Sequence, residues 1–178
     1  PPLNLNDSLI EGCEDLRVEF TNGTSAPLIH TWTFGDGTTS NRANPVKHYR
    51  DPGTYQVGLS VRNPDGCEID FNGNYQVVVR PKPNSEIFAT PERTDINNPV
   101  VNLSSNFLDA ISWIWLFGDG DSSAIENPIH TYGDTGSYQI QLIKENIYNC
   151  KDTGLITFTV DPVYDIKIPN VFTPNPNG

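Results

Sequence analysis

The chain has 178 residues and sets 22 Asp and Glu against 11 Lys and Arg, a net charge of −11. A balance that acidic argues against nucleic acid or an anionic membrane as partner, since both need a basic face. No apolar run nears the roughly 20 residues of a membrane-spanning helix. The acidic excess is spread along the chain rather than gathered in a tail, which reads as a solvated acidic surface. The opening "PPLNLNDSLI" has neither the basic start nor the apolar core of a signal peptide, and no Met precedes it, so the chain reads as a piece of something longer.

Taken in order, the elements alternate with a period of two. "LRVEF" places Leu16, Val18 and Phe20 on one face of a strand. In "WTFGDG", Trp32 and Phe34 alternate inward, Gly35 and Gly37 supply backbone angles that other residues resist, and Asp36 can accept from nearby backbone amides. Asn44-Pro45 then precedes a short segment ending at Tyr49. A Gly53-Thr54-Tyr55 turn opens a long strand with Tyr55, Val57, Leu59 and Val61 on one face, and "NYQVVV" repeats the pattern with Tyr75, Val77 and Val79. "RPKPNSE" carries two prolines, and residues 81–83 are expected to form a short, stiff linker.

Beyond that seam the sequence starts again. Sliding it along itself until Phe20 falls on Leu103 also lays Trp32 on Trp115, Phe34 on Phe117, Tyr49 on Tyr132, Gly53 on Gly136, Leu59 on Leu142 and Cys67 on Cys150, without a gap. The second "WLFGDG" therefore offers Trp115, Phe117, Gly118, Asp119 and Gly120 for the same corner, and "LITFTV" supplies Ile156, Phe158 and Val160. A constant offset identifies a tandem repeat of about 80 residues, long enough for a modest core in each copy. With no helical periodicity, the fold class is all-β: two tandem immunoglobulin-like antiparallel β-sandwiches over residues 1–80 and 84–161, followed by an extended tail over 162–178.

The pattern W-x-F-G-D-G, then N-P, then Tyr, then G-x-Y-x-V-x-L resembles the PKD domain, an immunoglobulin-like β-sandwich, and both copies match it nearly throughout. That resemblance implies extracellular modules, strung in tandem on surface proteins or appended to secreted hydrolases, with no catalytic activity of their own. The tail stretch "IPNVFTPN" resembles the start of the C-terminal sorting domain of Bacteroidetes type IX secretion cargo, of the gliding motility-associated kind, through Ile168, Pro169, Phe172, Thr173, Pro174 and Asn175. That family continues with Gly-Asp-Gly where this chain has Pro176-Asn177-Gly178.

The cysteines are expected to form a Cys13–Cys67 bond clamping strand ends in the first domain, worth about 4 kcal/mol by loop entropy. The antibody spacing is not met, because Cys67 lies well past Tyr55 in "NPDGCE". The repeat counterpart of Cys13 is Ile96, so Cys150 is expected to be a free, buried thiol or else intermolecular, with no His nearby in sequence to activate it. One bridge suggests an oxidising, extracytoplasmic setting.

No catalytic residue is expected. "DGDSSAIENPIH" opens like a calcium loop but has Ala124 and His130 where an EF-hand needs Gly and Glu. Calcium at module seams, through loop acids such as Asp36, Asp95 and Asp119, is the one cofactor weighed; otherwise none is expected. His30, His48 and His130 fit no metal or triad pattern, and His30 is expected to pack. Asn-x-Ser/Thr triplets occur at Asn6, Asn22 and Asn102. In "WIW", Trp113 shares the inward face of Trp115, so Ile114 and Leu116 are expected to lie under a loop or against a neighbouring domain. The expected partners are neighbouring sandwiches of the same chain and, through a downstream sorting domain, the type IX and gliding machinery. The expected setting is the cell surface, without membrane insertion, and the expected role is the stalk of an adhesin. The alternative is the accessory spacer, or weakly binding region, of a secreted hydrolase.

Overall fold

The computed structural model describes residues 2–3, 9–22, 28–71 and 75–164, and every regular element among them is a β-strand. The first repeat holds β1 (Pro2–Leu3), β2 (Leu9–Cys13), β3 (Leu16–Phe20), β4 (Ile29–Thr33), β5 (Thr39–Ser40), β6 (Val46–Tyr49), β7 (Gly53–Arg62), β8 (Glu68–Asp70) and β9 (Tyr75–Arg80). One sheet has the order β1-β3-β6. The other runs β2-β9-β7-β4-β5, with β8 added beside β7. Most neighbours are antiparallel, but β1 runs parallel to β3 and β2 parallel to β9. The first segment contributes to both sheets, so it travels in the same direction as one strand in each.

The alternating residues meet between these sheets. Val18, Phe20 and Tyr49 from one face Trp32, Val57, Leu59, Val77 and Val79 from the other, all almost wholly buried. The Phe20 ring centroid lies 5.3 Å from that of Trp32 and 5.5 Å from that of Phe34. Each large apolar side chain removed from water contributes about 1.5–3 kcal/mol, so this cluster is the main stabilising element of the repeat. His30 is buried on the same strand as Trp32, the packing role expected of it.

The second repeat holds β10 (Phe88–Thr90), β11 (Arg93–Asp95), β12 (Val100–Ser104), β13 (Ser112–Leu116), β14 (Ser122–Ser123), β15 (Ile129–Thr131), β16 (Gly136–Glu145) and β17 (Lys151–Asp161). Its sheets have the orders β10-β12-β15 and β11-β17-β16-β13-β14. Val101, Leu103, Trp115, Phe117, Tyr132, Ile140, Leu142, Phe158 and Val160 are among its buried residues. Those from Val101 through Leu142 are the repeat counterparts of Val18, Phe20, Trp32, Phe34, Tyr49, Val57 and Leu59, taken in order. The next position breaks the series: Val61 has as its counterpart Lys144, a wholly buried lysine.

Contacts divide the chain into two compact units. Unit 1 takes the described residues of 1–84 together with 107–113 and 143–152; unit 2 takes 85–106, 114–142 and the described residues from 153 on. Within unit 1 the residues after β9 are firmly held. Lys144 Nζ donates to Asn84 O at 2.6 Å, Asn146 Nδ2 to Pro81 O at 2.7 Å, and the Asn84 N–H to Asp109 Oδ2 at 3.0 Å. The Arg80 guanidinium lies 4.5 Å from the Tyr148 ring centroid, and Lys144 Nζ 4.4 Å from that of Phe107. Burial pushes the Lys144 amine below the ordinary lysine range, against the opposing pull of Asp109 and Asp152.

The cysteines correct the expectation. Cys13 is bonded to Cys150, with Cα atoms 5.5 Å apart, and Cys67 is free and exposed. Strand register explains it. Cys13 is level with Arg80 on β9, and Val79 beside it is level with Gly53, the first residue of β7. Cys67 follows Arg62 at the other end of β7, roughly 30 Å away at the usual rise per strand residue. A disulfide needs Cα atoms within about 7 Å, so Cys13 and Cys67 cannot meet.

A second correction concerns the outward face of β13. Ile114 is 41% exposed and Leu116 only half-buried, so among the described residues no loop closes over Ile114. Alternation fixes which way a side chain points, not whether anything lies over it, and single exposed apolar residues are ordinary on a surface. Trp113 is likewise half-buried, not part of the core around Trp115, and its ring packs 4.9 Å from that of Phe107.

Candidate functional site

The most distinctive chemistry in the sequence, the two Phe-Gly-Asp-Gly corners, is built alike in both repeats. Trp32 Nε1 donates to Ala43 O at 3.3 Å, and Trp115 Nε1 to Glu126 O at 3.2 Å. The buried Tyr49 hydroxyl donates to Phe34 O at 3.1 Å, and that of Tyr132 to Phe117 O at 3.0 Å. Asp36 Oδ1 accepts from Thr38 N–H at 3.1 Å, and Asp119 Oδ1 from Asp121 N–H at 3.0 Å. Gly35 and Gly118 adopt φ of 79° and 88°. A Cβ at either would come within 2.7 Å of the backbone of Gln56 or Gln139, so no other residue fits. The tyrosine hydroxyls are driven above the ordinary range by burial, with the nearby Asp36 and Asp119 adding to it, and so remain donors.

Each corner carries a second partner that the motif alone did not disclose. Lys47 Nζ lies 2.5 Å from Asp36 Oδ2 and donates to Thr38 Oγ1 at 2.8 Å. Partial burial alone would raise the Asp36 carboxyl; bonds from Lys47 and Thr38 outweigh it and hold the pKa at about 2. In the second repeat the base at the position of Lys47 is His130. Its Nε2 lies 2.6 Å from Asp119 Oδ2, and its ring stacks on Phe117 with centroids 4.0 Å apart. Burial again opposes, and the bonds from His130 and the Asp121 amide again win, keeping the Asp119 carboxyl low.

Asp119, Asp121 and His130 form the one group among the described residues whose ligating atoms, all within 4.8 Å of one another, could hold a metal ion. Of the acids weighed for calcium, Asp36 is engaged by Lys47, and Asp95 accepts the Asn97 N–H at 2.8 Å. His48 is placed 3.1 Å from Asp15 O. The tail residues Ile168, Pro169, Phe172, Thr173, Pro174 and Asn175 lie outside the described residues, as does Asn6.

What sequence reasoning missed is the His130–Asp119 bond, the burial of Lys144 and the Cys13–Cys150 pairing. The signal for the first was present in the repeat offset, which lays His130 on Lys47. Chemically the corner is saturated: its indole, hydroxyl and carboxylate groups are spent on neighbouring backbone and on one base. Among the described residues each unit has an open depression. In unit 1 Asp36, Lys47, His48, Tyr49, Asp51 and Tyr55 are among the residues lining about 330 Å³ of mainly polar space. In unit 2 Ile87, Phe88, Thr90, Glu92, Ile156 and Thr157 help line about 440 Å³.

The family model of the PKD domain matches the chain twice, over residues 5–79 and 80–160. Collagenase ColA of Bacillus cereus is 49% identical over 41 residues, which is 23% of this chain and 4% of that protein. Collagenase ColQ1 of Bacillus cereus is 31% identical over 72 residues, 38% of this chain and 8% of that protein. The matched stretches thus span less than a tenth of the length of these curated relatives. The crystal structure of the PKD1 domain from the Vibrio cholerae metalloprotease PrtV is 24% identical, with a TM-score of 0.38, and covers 45% of this chain and 98% of its own.

Proposed function

The chain belongs to the PKD domain family, and from that premise we propose that it is a pair of non-catalytic extracellular spacer modules within a larger secreted bacterial surface protein. The observation that carries this reading is the saturated corner. The same indole, hydroxyl and carboxylate bonds recur in both repeats, each aimed at the repeat's own backbone. Groups spent this way shape a module and leave no nucleophile or general base poised for a substrate. The Cys13–Cys150 disulfide suits an oxidising compartment outside the cytoplasm, and the acidic surface suits a solvated stalk.

The parent we propose is an adhesin exported by type IX secretion and used in surface gliding. Its support is the tail motif "IPNVFTPN" following two PKD modules. A second reading, the accessory region of a secreted hydrolase, is favoured by the local identity to two collagenases. Peptide mass spectrometry of the native protein released from the cell surface separates them. Further Phe-Gly-Asp-Gly repeats before residue 1 and a β-rich domain after residue 178 support the adhesin; a hydrolase domain in the same chain overturns it in favour of the second reading. Deleting residues 1–161 from the native protein tests the spacer role shared by both. Binding or turnover of a small soluble ligand by the flanking domains is expected to persist, while action on a surface-bound target falls. Loss of the soluble activity as well would overturn the spacer role.

A further inference from the structure

Cys67 is free and exposed, yet it occupies the repeat position of Cys150, which is bonded. The two cysteines stand on the same turn. The Asn63 N–H donates to Cys67 O at 2.9 Å, the Gly66 N–H to Asn63 O at 3.1 Å, and the Cys67 N–H to Asn63 Oδ1 at 2.8 Å. In the second repeat the Asn146 N–H donates to Cys150 O at 3.0 Å, the Asn149 N–H to Asn146 O at 3.0 Å, and the Cys150 N–H to Asn146 Oδ1 at 3.1 Å. The residue before each cysteine has positive φ, 90° at Gly66 and 60° at Asn149. A lone exposed thiol points to no partner. What points to one is the identical turn in the other repeat, whose sulfur is joined to a cysteine at the end of a first full strand, Cys13 of β2.

The bridge also has a direction. Cys150 reaches back to the repeat that precedes its own, and the same turn grips the residues entering its repeat through Asn146 Nδ2 and Pro81 O. Asn63 stands at the equivalent place beside Cys67. The second repeat has Ile96 where the first has Cys13, so it carries no cysteine to offer a repeat that follows. The pattern is one in which the turn cysteine of a module joins the first-strand cysteine of the module before it.

We propose that Cys67 forms a disulfide with a cysteine at the end of the first strand of a further module of this kind, N-terminal to the first repeat in the native protein. This goes beyond the spacer role and rests on it only in placing the chain within a longer extracytoplasmic array. One S–S bond forms. The two thiols give up two protons and two electrons to a disulfide oxidant of the export compartment, whose own S–S bond is cleaved to two thiols by exchange. A cysteine left over in a secreted protein points to a bridge beyond it or to a free thiol, and the bonded repeat counterpart Cys150 favours the bridge.

The test is peptide mapping of the native full-length protein, alkylated before any reduction. The tryptic peptide from Asn63 to Arg93 is expected to be linked to a peptide whose cysteine ends the first strand of a preceding PKD module. Cys67 recovered alkylated, capped by a small thiol, joined to Cys67 of a second copy, or joined elsewhere in the chain would each overturn the proposal. A Cys67→Ser variant of the full-length protein gives an independent readout: one newly alkylated cysteine per chain, in that preceding module. No new thiol would again overturn it. A free Cys67 in a protein that does contain a preceding module sinks the bridge and leaves the spacer role standing; the deletion of residues 1–161 decides the latter separately.

Discussion

The two repeats share a core and a corner, and they part at the positions where a side chain reaches outside its own core. Val61 completes the first core, while its counterpart Lys144 is buried and donates to Asn84 O. Lys47 closes the first corner, and His130 closes the second. Cys67 is free on a turn where Cys150 is bonded. Packing between the sheets tolerates little change in volume, which keeps the buried positions alike. The turn and the edge of the corner face solvent or another segment, and there one copy could acquire a tether that the other lacks.

The largest effect should come from cutting that tether. Cys13 and Cys150 are separated by 137 residues, and closing a loop of that length lowers the entropy of the unfolded chain by the equivalent of about 5 kcal/mol. Replacing Cys150 with Ser is expected to lower the thermal midpoint of unit 1 by many degrees, whereas Cys67→Ser in this chain should leave it unchanged. Scanning calorimetry without reductant measures both. Equal effects would erase the asymmetry between the two turns.

A smaller effect, and one that depends on pH, is expected at both corners. Asp36 has a folded pKa of about 2 against an ordinary 3.8, and Asp119 is shifted in the same direction. A depressed folded pKa means stability that is fully present above the ordinary value and lost as pH falls through the folded one. Both corners should therefore weaken in strong acid, the first chiefly between about pH 4 and pH 2. Asp36→Asn should remove the acid-dependent part of the first corner's stability at neutral pH, by about 1 kcal/mol or less in keeping with a partly exposed ion pair, and by nothing measurable near pH 2. Urea midpoints at pH 7 and pH 2 provide the check, and a pH-independent result would mean that the charge on Asp36 contributes nothing.

How much of this was legible depends on the distance over which each interaction is encoded. The cores could be read because strand alternation is local: Val18 and Phe20, or Ile140 and Leu142, declare their face within three residues. The corner could be read because Gly35 and Asp36 act on backbone within a few positions. Burial of Lys144 was implied by its place two residues after Leu142, but a charged residue in an apolar series does not announce what it will bond. The disulfide could not be read at all. It depends on β2 running parallel to β9, which brings Cys13 level with Arg80, and on residues 143–152 belonging to unit 1. Neither is written in the spacing of three cysteines. The His130–Asp119 bond lies between these extremes, hidden by its 11-residue separation yet visible once His130 is laid on Lys47.

The smallest expected effect sharpens the comparison on the outer face of β13. Ile114 and Leu116 stand where the first repeat has Thr31 and Thr33, both exposed. Threonine suits a solvent-facing strand position as well as isoleucine does, since its branched side chain also fits the pleated surface. Ile114→Thr in the isolated chain should therefore change stability by less than about 0.5 kcal/mol, the range for surface sites away from special features. Leu116→Thr should cost somewhat more, because Leu116 is half-buried where it pairs with Ser122. A loss at Ile114 of about 2 kcal/mol, the scale of truncating a buried aliphatic side chain, would show that the face is covered after all. The two repeats would then differ in a whole surface rather than in single tethers. If the loss appears only in the full-length protein, the cover comes from a flanking domain, and Ile114 marks where that domain sits.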